Sequence, residues 1–286
     1  MILVRTVAAV RDAVRSARAE GRRVGLVPTM GAFHRGHVSL MSRAREECGL
    51  VVVSLFVNPA QFNEAADLAR YPRDEAGDAA LAEQAGVDVF FAPDVGEVYP
   101  AGFATTVEVA GITEPLEGAV RGTAHFRGVA TVVAKLFNMV QPDAAYFGQK
   151  DAQQALMIRR MAKDLNFPVE VVVCPTVRED DGLAMSSRNA LLDADSRRRA
   201  TALSRALRAV ERTVAAGERE AASALANGRA ELAAEGIEAE YFAAVSVDML
   251  QPVDRIESET LIALAARLGA VRLIDNVIVR PPGATR

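Results

Sequence analysis

His34 and His37 lie three residues apart in "LVPTMGAFHRGHVSL", straddle Gly36 and follow an apolar run. At that spacing over the first turn of a helix, imidazoles can donate to phosphate oxygens as charge builds during displacement at phosphorus. Other chemistries compete for parts of the same stretch. "GAFHRG" has the G-x-x-x-x-G spacing of a phosphate-cradling loop, but His37 and Val38 stand where that motif needs Lys and then Ser or Thr. A zinc site needs a third and usually a fourth ligand, whereas His125 is the only other histidine and no H-E-x-x-H or paired-cysteine motif exists. A purely structural alternative is that two loop histidines merely cap a helix.

The elements that must position these side chains follow from hydrophobic pattern. A strand ending at Pro28, a glycine-containing turn and a helix from near His37 would direct free N–H groups to the carboxyl edge of a sheet, where α/β folds bind nucleotides. The runs "VGLVP", "LVVVSLFV" and "VDVFFAP" alternate with helical patterns in "HVSLMSRAREECG" and "DEAGDAALAEQAG", the βαβ order of a parallel sheet. These strands do not alternate in polarity, as expected when helices cover both faces. The pattern predicts an α/β fold with a Rossmann-like doubly wound parallel sheet.

It continues through "GVATVVAKLFNMVQP", whose Val129, Val132, Leu136 and Val140 recur at helical spacing, into a strand "AAYFG" and a helix that Asp151 is placed to cap. A last strand, "VEVVVCP", leads to the polar segment "TVREDDGLAMSSRNALL". From Asp193 to about Glu235 the chain reads as Ala- and Arg-rich helix, and "AEYFAAVSV", "ETLIALAARLG" and "VRLIDNVIV" as strands of a small mixed or antiparallel sheet. The expected boundary lies near Thr176, giving a first domain 1–176 and a smaller C-terminal α+β domain 177–286 with the polar segment as hinge.

Composition narrows the function classes. The 286 residues carry 33 Lys and Arg against 37 Asp and Glu, a formal charge of −4, so no global field attracts nucleic acid or an acidic membrane. No apolar run approaches the ~20 residues of a membrane span. Cys48 and Cys174 make no disulfide framework, which suits a reducing cytoplasm. The opening "MILVRTVAAVRDAVRSARAEGRR" has the Arg and Ala content of an organellar presequence, but Val7, Val10 and Val14 form one helical stripe closed by Gly21, as in a folded first element.

"TMGAFHRGH" resembles the T-x-G-x-x-H-x-G-H signature of the nucleotidyltransferase superfamily. "VSLFVNPAQF", "YPRD", "HFRGVATVVAKLFN", "FGQKDAQQ" and "PTVREDDGLAMSSRN" fall in the order and approximate spacing of the pantothenate synthetase (pantoate–β-alanine ligase) family, over most of residues 24–192, with a weaker echo at "LIALAARLGAVRLIDN". The resemblance implies ATP-dependent condensation of pantoate with β-alanine through a pantoyl adenylate, giving pantothenate, AMP and pyrophosphate. It implies a nucleotide- and pantoate-binding first domain, a C-terminal lid and a homodimer.

By the match, Met30, Gly31, Ala32, Phe33, His34, Arg35, Gly36 and His37 line the ATP site, with His37 assigned proton donation and His34 as its catalytic neighbour. Gly148, Gln149, Lys150 and Asp151, then Met185, Ser186, Ser187 and Arg188, match further ATP-contacting motifs, and Val177 a backbone contact to adenine. Lys150 is a catalytic point charge for the phosphates. Gln61 and Gln154 match pantoate-binding glutamines, and Asn58 is expected to help hold that pocket; neutral amides donate to a carboxylate and accept from hydroxyls without repelling a hydroxy acid. Asp78 matches a family aspartate expected to hold Mg2+ together with the ATP phosphates. Read locally, Asn58 is also a strand-end turn residue, and Ser186 or Ser187 a helix N-cap.

The chain departs from the family's usual F-G-E-K-D-Y-Q-Q at Gln149 and Ala152, losing a charge and an aromatic surface, and Gly77 stands where some members carry a second acid. Two other functions compete. A nucleotidyltransferase acting on a phosphate ester would want an added basic pocket, and a regulatory ATP-binding module would have lost catalysis through Gln149 and Ala152.

Overall fold

Six runs rich in β-branched and aromatic residues pair into one parallel sheet: β1 (Ile2–Val4), β2 (Val24–Thr29), β3 (Leu50–Leu55), β4 (Val89–Phe91), β5 (Ala144–Gly148) and β6 (Glu170–Cys174), in the spatial order β1-β4-β3-β2-β5-β6. They are read from a computed structural model that describes residues 1–283. The helices are α1 (Val7–Ala19), α2 (Arg35–Glu47), α3 (Ala65–Arg70), α4 (Glu75–Gln84), α5 (Val95–Val98), α6 (Glu117–Arg121), α7 (Thr123–Val140), α8 (Ala152–Asp164), α9 (Ala194–Ala215) and α10 (Ala221–Ala234).

From β2 the chain steps one way, to β3 and β4, and from β5 it steps the other way, to β6. Right-handed crossovers therefore send α2 and α8 to opposite faces, which is the doubly wound arrangement expected from the strands' lack of polar alternation. The direction of winding reverses between neighbouring strands β2 and β5, whose carboxyl ends, Thr29 and Gly148, form the switch point where such sheets bind ligands.

Two details were not expected. The chain opens with an edge strand, because Ile2, Leu3 and Val4 pair in register with Val89, Phe90 and Phe91 before Thr6 caps α1. The short helices α3, α5 and α6 carry too few residues for a hydrophobic period to announce them.

Strands β7 (Ala239–Ser246), β8 (Thr260–Leu268) and β9 (Val271–Val279) form an antiparallel sheet in that order, covered by α9 and α10. The Ala- and Arg-rich run is two helices, broken where Gly217 adopts a φ of +110°. Small residues let α10 approach its sheet closely: a Cβ on Gly228 would lie 2.6 Å from the Phe242 ring.

The chain divides into two units, residues 1–148 with 153–175, and residues 149–152 with 176–286. Gln149–Ala152 and Thr176, both inside the expected first domain 1–176, group with the second of these units.

Candidate active site

The loop after β2 is held from beneath by a buried carboxylate. Gly31 and Ala32 both have positive φ, +92° and +54°. A left-handed alanine costs ~1–2 kcal/mol, and Asp78 on α4 offsets this by accepting Ala32 N–H at 2.9 Å and Phe33 N–H at 2.6 Å. Only glycine fits at position 31, since a Cβ there would stand 2.7 Å from Leu55 and 2.9 Å from Asp78.

The same carboxylate is the one the family match offers to Mg2+ together with the ATP phosphates. Asp78 is 3 % exposed with each oxygen engaged by the loop, and among the described residues no three His, Cys, Asp or Glu side chains gather to hold a metal. At the Gly77 departure, Asp74 caps α4 by accepting Gly77 N–H at 3.0 Å, and a Cβ at 77 would collide with that carboxylate.

Helix α2 starts at Arg35, slightly before the expected start near His37, and the histidines are its cap. His34 is the N-cap residue, its Nδ1 accepting Gly36 N–H at 3.1 Å, while His37 Nδ1 accepts His34 N–H at 3.3 Å. This is a capping box built from two imidazoles, with ring centroids 4.3 Å apart. Capping and phosphate donation are therefore not exclusive: an Nδ1 that accepts a backbone proton leaves the neutral ring's own proton on Nε2. Gly36 leaves room for the His34 ring, since a Cβ there would lie 2.8 Å from Cε1.

The glutamine group sits in the same unit. Asn58, 1 % exposed, donates through Nδ2 to Gln61 Oε1 at 3.0 Å and to the Gly128 carbonyl at 3.1 Å, and accepts from Ala60 N–H at 3.2 Å and Tyr99 O–H at 2.9 Å. It is a turn residue that sets Gln61, as its local reading allowed, and its donors and acceptor are spent on protein partners. Burial raises the Tyr99 phenol to about 12, keeping it a neutral donor. Gln61 Nε2 lies 3.0 Å from Met30 Sδ, so the glutamine meets the start of the histidine loop. Its backbone carbonyl is 2.7 Å from His125 Nδ1. Helix α7 approaches this turn at Gly128, where a Cβ would collide with the Ala60 carbonyl oxygen.

Of the glutamine pair on α8, Gln153 is buried and structural: it accepts Glu117 N–H at 3.0 Å and donates to the Ile112 and Pro115 carbonyls. Gln154 is half-buried, with its amide outside that network. Ala152 is buried at the head of α8.

The remaining candidates belong to the C-terminal unit. Gln149–Asp151 form one 3-10 turn, with Lys150 Nζ 3.8 Å from Asp151 Oδ1. Val177 opens a hairpin closed by Met185 N–H to its carbonyl at 2.9 Å, by an Arg178–Ala184 bridge and by a turn at Gly182, φ +92°. Arg197 pins the hairpin through Glu179 at 2.6 Å and Asp181 at 2.7 Å, and its hydrogen bond holds the Asp181 carboxyl below the usual range. Ser186 Oγ accepts Arg188 N–H at 3.3 Å and caps the 3-10 turn Ser187–Leu191, so the capping reading holds for Ser186. Ser187 and Arg188 are exposed.

Sequence reading missed Tyr99 and the loop-holding role of Asp78, and it offered the histidine caps only as an alternative to phosphate donation. His125 and Gly128 lay within "HFRGVATVVAKLFN" without assigned roles, and Tyr99 has no local pattern at all.

A doubly wound parallel sheet with a glycine-containing loop and a side-chain-capped helix start at its switch point places the chain among α/β proteins of nucleotide-binding architecture. Comparison narrows this: the pantoate-beta-alanine ligase family model matches residues 2–278, and the chain belongs to that family. It is 54 % identical over 280 residues to the pantothenate synthetase of Moorella thermoacetica, covering 98 % of this chain and 99 % of that one. The crystal structure of pantothenate synthetase from Thermus thermophilus superposes with a TM-score of 0.91 at 50 % identity, covering 98 % of this chain and all of that one. The Francisella tularensis pantoate-beta-alanine ligase, solved in complex with beta-gamma ATP and beta-alanine, gives 0.78 at 33 % identity over 97 % of each chain.

Proposed function

We infer that this protein condenses pantoate with β-alanine at the expense of ATP. The pantoate carboxylate attacks the α-phosphorus and expels pyrophosphate; the β-alanine amine then attacks the acyl carbon, loses a proton and expels AMP. The observation that carries the reading is the double-imidazole cap of α2, which directs Nε2–H donors from a helix start, in a chain whose family is that of pantoate–β-alanine ligases.

Neither step needs a strong base, since a carboxylate is already a nucleophile, and positioning it in line supplies several kcal/mol. In this reading the loop Met30–His37 takes ATP, with His37 and His34 donating to the phosphates as charge builds. Gln61, set by Asn58, and Gln154 take pantoate. Lys150 supplies charge to the phosphates, with Ser186, Ser187 and Arg188 as further contacts and Val177 against adenine. Magnesium enters with the nucleotide as part of the substrate, consistent with the engaged oxygens of Asp78. The family resemblance supports a homodimer, and two buried free cysteines suit a reducing cytoplasm.

The test is pyrophosphate–ATP exchange followed by full turnover. Exchange should require pantoate alone, and AMP should accumulate stoichiometrically with pantothenate only when β-alanine is added. Exchange supported by a phosphate ester in place of pantoate would refute the assignment.

A further inference from the structure

Lys150 follows β5 in sequence but is held by β9. Asn276 Nδ2 donates to the backbone carbonyl of Gln149 at 2.9 Å and to that of Lys150 at 3.0 Å, while Gln149 Nε2 returns a bond to Asn276 Oδ1 at 3.3 Å. Asn276 is 3 % exposed. Its neighbour Asp275, 2 % exposed, binds Arg178 through both oxygens, at 2.6 and 3.0 Å, and Arg178 also donates to the Gly182 carbonyl at 3.1 Å. Successive residues of a strand point to opposite faces, so one dipeptide of β9 can hold two separate segments.

The side-chain chemistry is restrictive. Serving two carbonyls at once takes two N–H donors on one short side chain, which a carboxylate lacks and a hydroxyl supplies only once. Gln149, where the family usually has glutamate, donates to Asn276 Oδ1 and so orients the amide with Nδ2 toward the carbonyls. We propose that Asn276 is the positioning residue for Lys150, with Asp275 acting likewise on the Arg178–Ala184 hairpin that joins Val177 to Met185, so that the last strand holds both the lysine and the hairpin between two segments assigned to ATP. This rests on the reading of Lys150 given above.

The test uses Asn276→Asp, which keeps shape but turns an oxygen toward two carbonyls, and Gln149→Ala, which removes only the orienting bond at a half-buried turn. Hydrogen exchange is measured over peptides covering 149–152 and, as control, β8. Exchange over 149–152 should rise about tenfold in Asn276→Asp, and less in Gln149→Ala, with β8 unchanged. Initial rates over a grid of ATP and pantoate should show kcat down about ten- to a hundredfold and KM for ATP raised, with KM for pantoate unchanged. Mere loss of folded enzyme lowers the rate and moves neither KM. Folded variants with wild-type exchange over 149–152, or with an unmoved KM for ATP, overturn the proposal. A wild type that releases no pyrophosphate from ATP and pantoate would refute the functional reading instead, while exchange would still decide whether Asn276 tethers Lys150's segment.

Discussion

Asp78 accepts the backbone N–H of Ala32 at 2.9 Å and thereby holds a residue with a Cβ in the left-handed region. Replacing Asp78 with Ala leaves the half-buried Ala32 and Phe33 N–H groups without their carboxylate acceptor, at a cost of about 2–4 kcal/mol. Urea unfolding should register that loss, and ATP turnover of the folded fraction should fall. The magnesium concentration giving half-maximal rate should stay where it is in the wild type; a shift to much higher magnesium would return Asp78 to the metal.

Gly36→Ala tests the double cap. The added Cβ would displace the His34 ring, which stands 2.8 Å away, without touching the core. Circular dichroism should remain near wild type while kcat/KM drops about a hundredfold, as expected when donors are misplaced by an ångström or so. His37→Ala should lose about 10²–10³ in rate. Near-normal pyrophosphate release from both variants would remove the histidines from the mechanism.

The two asparagine and glutamine clusters should separate by readout. Asn58→Ala and Gln153→Ala break several buried hydrogen bonds each and should lower stability by about 2–4 kcal/mol. Gln154→Ala should leave stability within ~0.5 kcal/mol, whereas Gln61→Ala, which strips an acceptor from buried Asn58, should cost about 1–3 kcal/mol; both should raise KM for pantoate, with ATP affinity in the absence of pantoate unchanged. If either glutamine variant weakens ATP binding as strongly as pantoate use, its placement is wrong.

Limited trypsin digestion addresses the serine segment. Arg188 is exposed, whereas Arg178 is locked onto buried Asp275, so cleavage should occur after Arg188 and not after Arg178. ATP with magnesium should suppress it. Ser186→Ala should cost about 1 kcal/mol as a lost cap, while Ser187→Ala, which removes no cap, should act on turnover alone. Equal cleavage with and without nucleotide, together with a fully active Ser187→Ala enzyme, would leave that segment outside the ATP site.

Much of the sheet was legible because its signal is local. Near-continuous apolar, β-branched runs such as "LVVVSLFV" read as strands covered on both sides, and "NMVQP" or "GRRVGLV" mark element ends by turn chemistry. The edge strand Ile2–Val4 was illegible because three residues carry no period, and its pairing with Val89–Phe91 joins positions more than eighty apart in sequence. The break at Gly217 was hidden because alanine and arginine favour helix on both sides of it.

The sequence by itself determined which side chains could do chemistry, His34, His37, Gln61, Lys150 and Gln154, because residue types and spacing within a motif are properties of the chain. It also determined that Gly36 separates the histidines. Tertiary structure alone decided what each polar group is already bonded to, and hence what it has left to offer. Asp78 is made a loop anchor by Ala32 and Phe33, Gln153 is parted from Gln154 by the turn at Glu117, and Lys150 is assigned to the C-terminal unit by Asn276. The reason is that a hydrogen bond is fixed by distance and direction between groups that the chain brings together from afar, and no local pattern records which partner arrives.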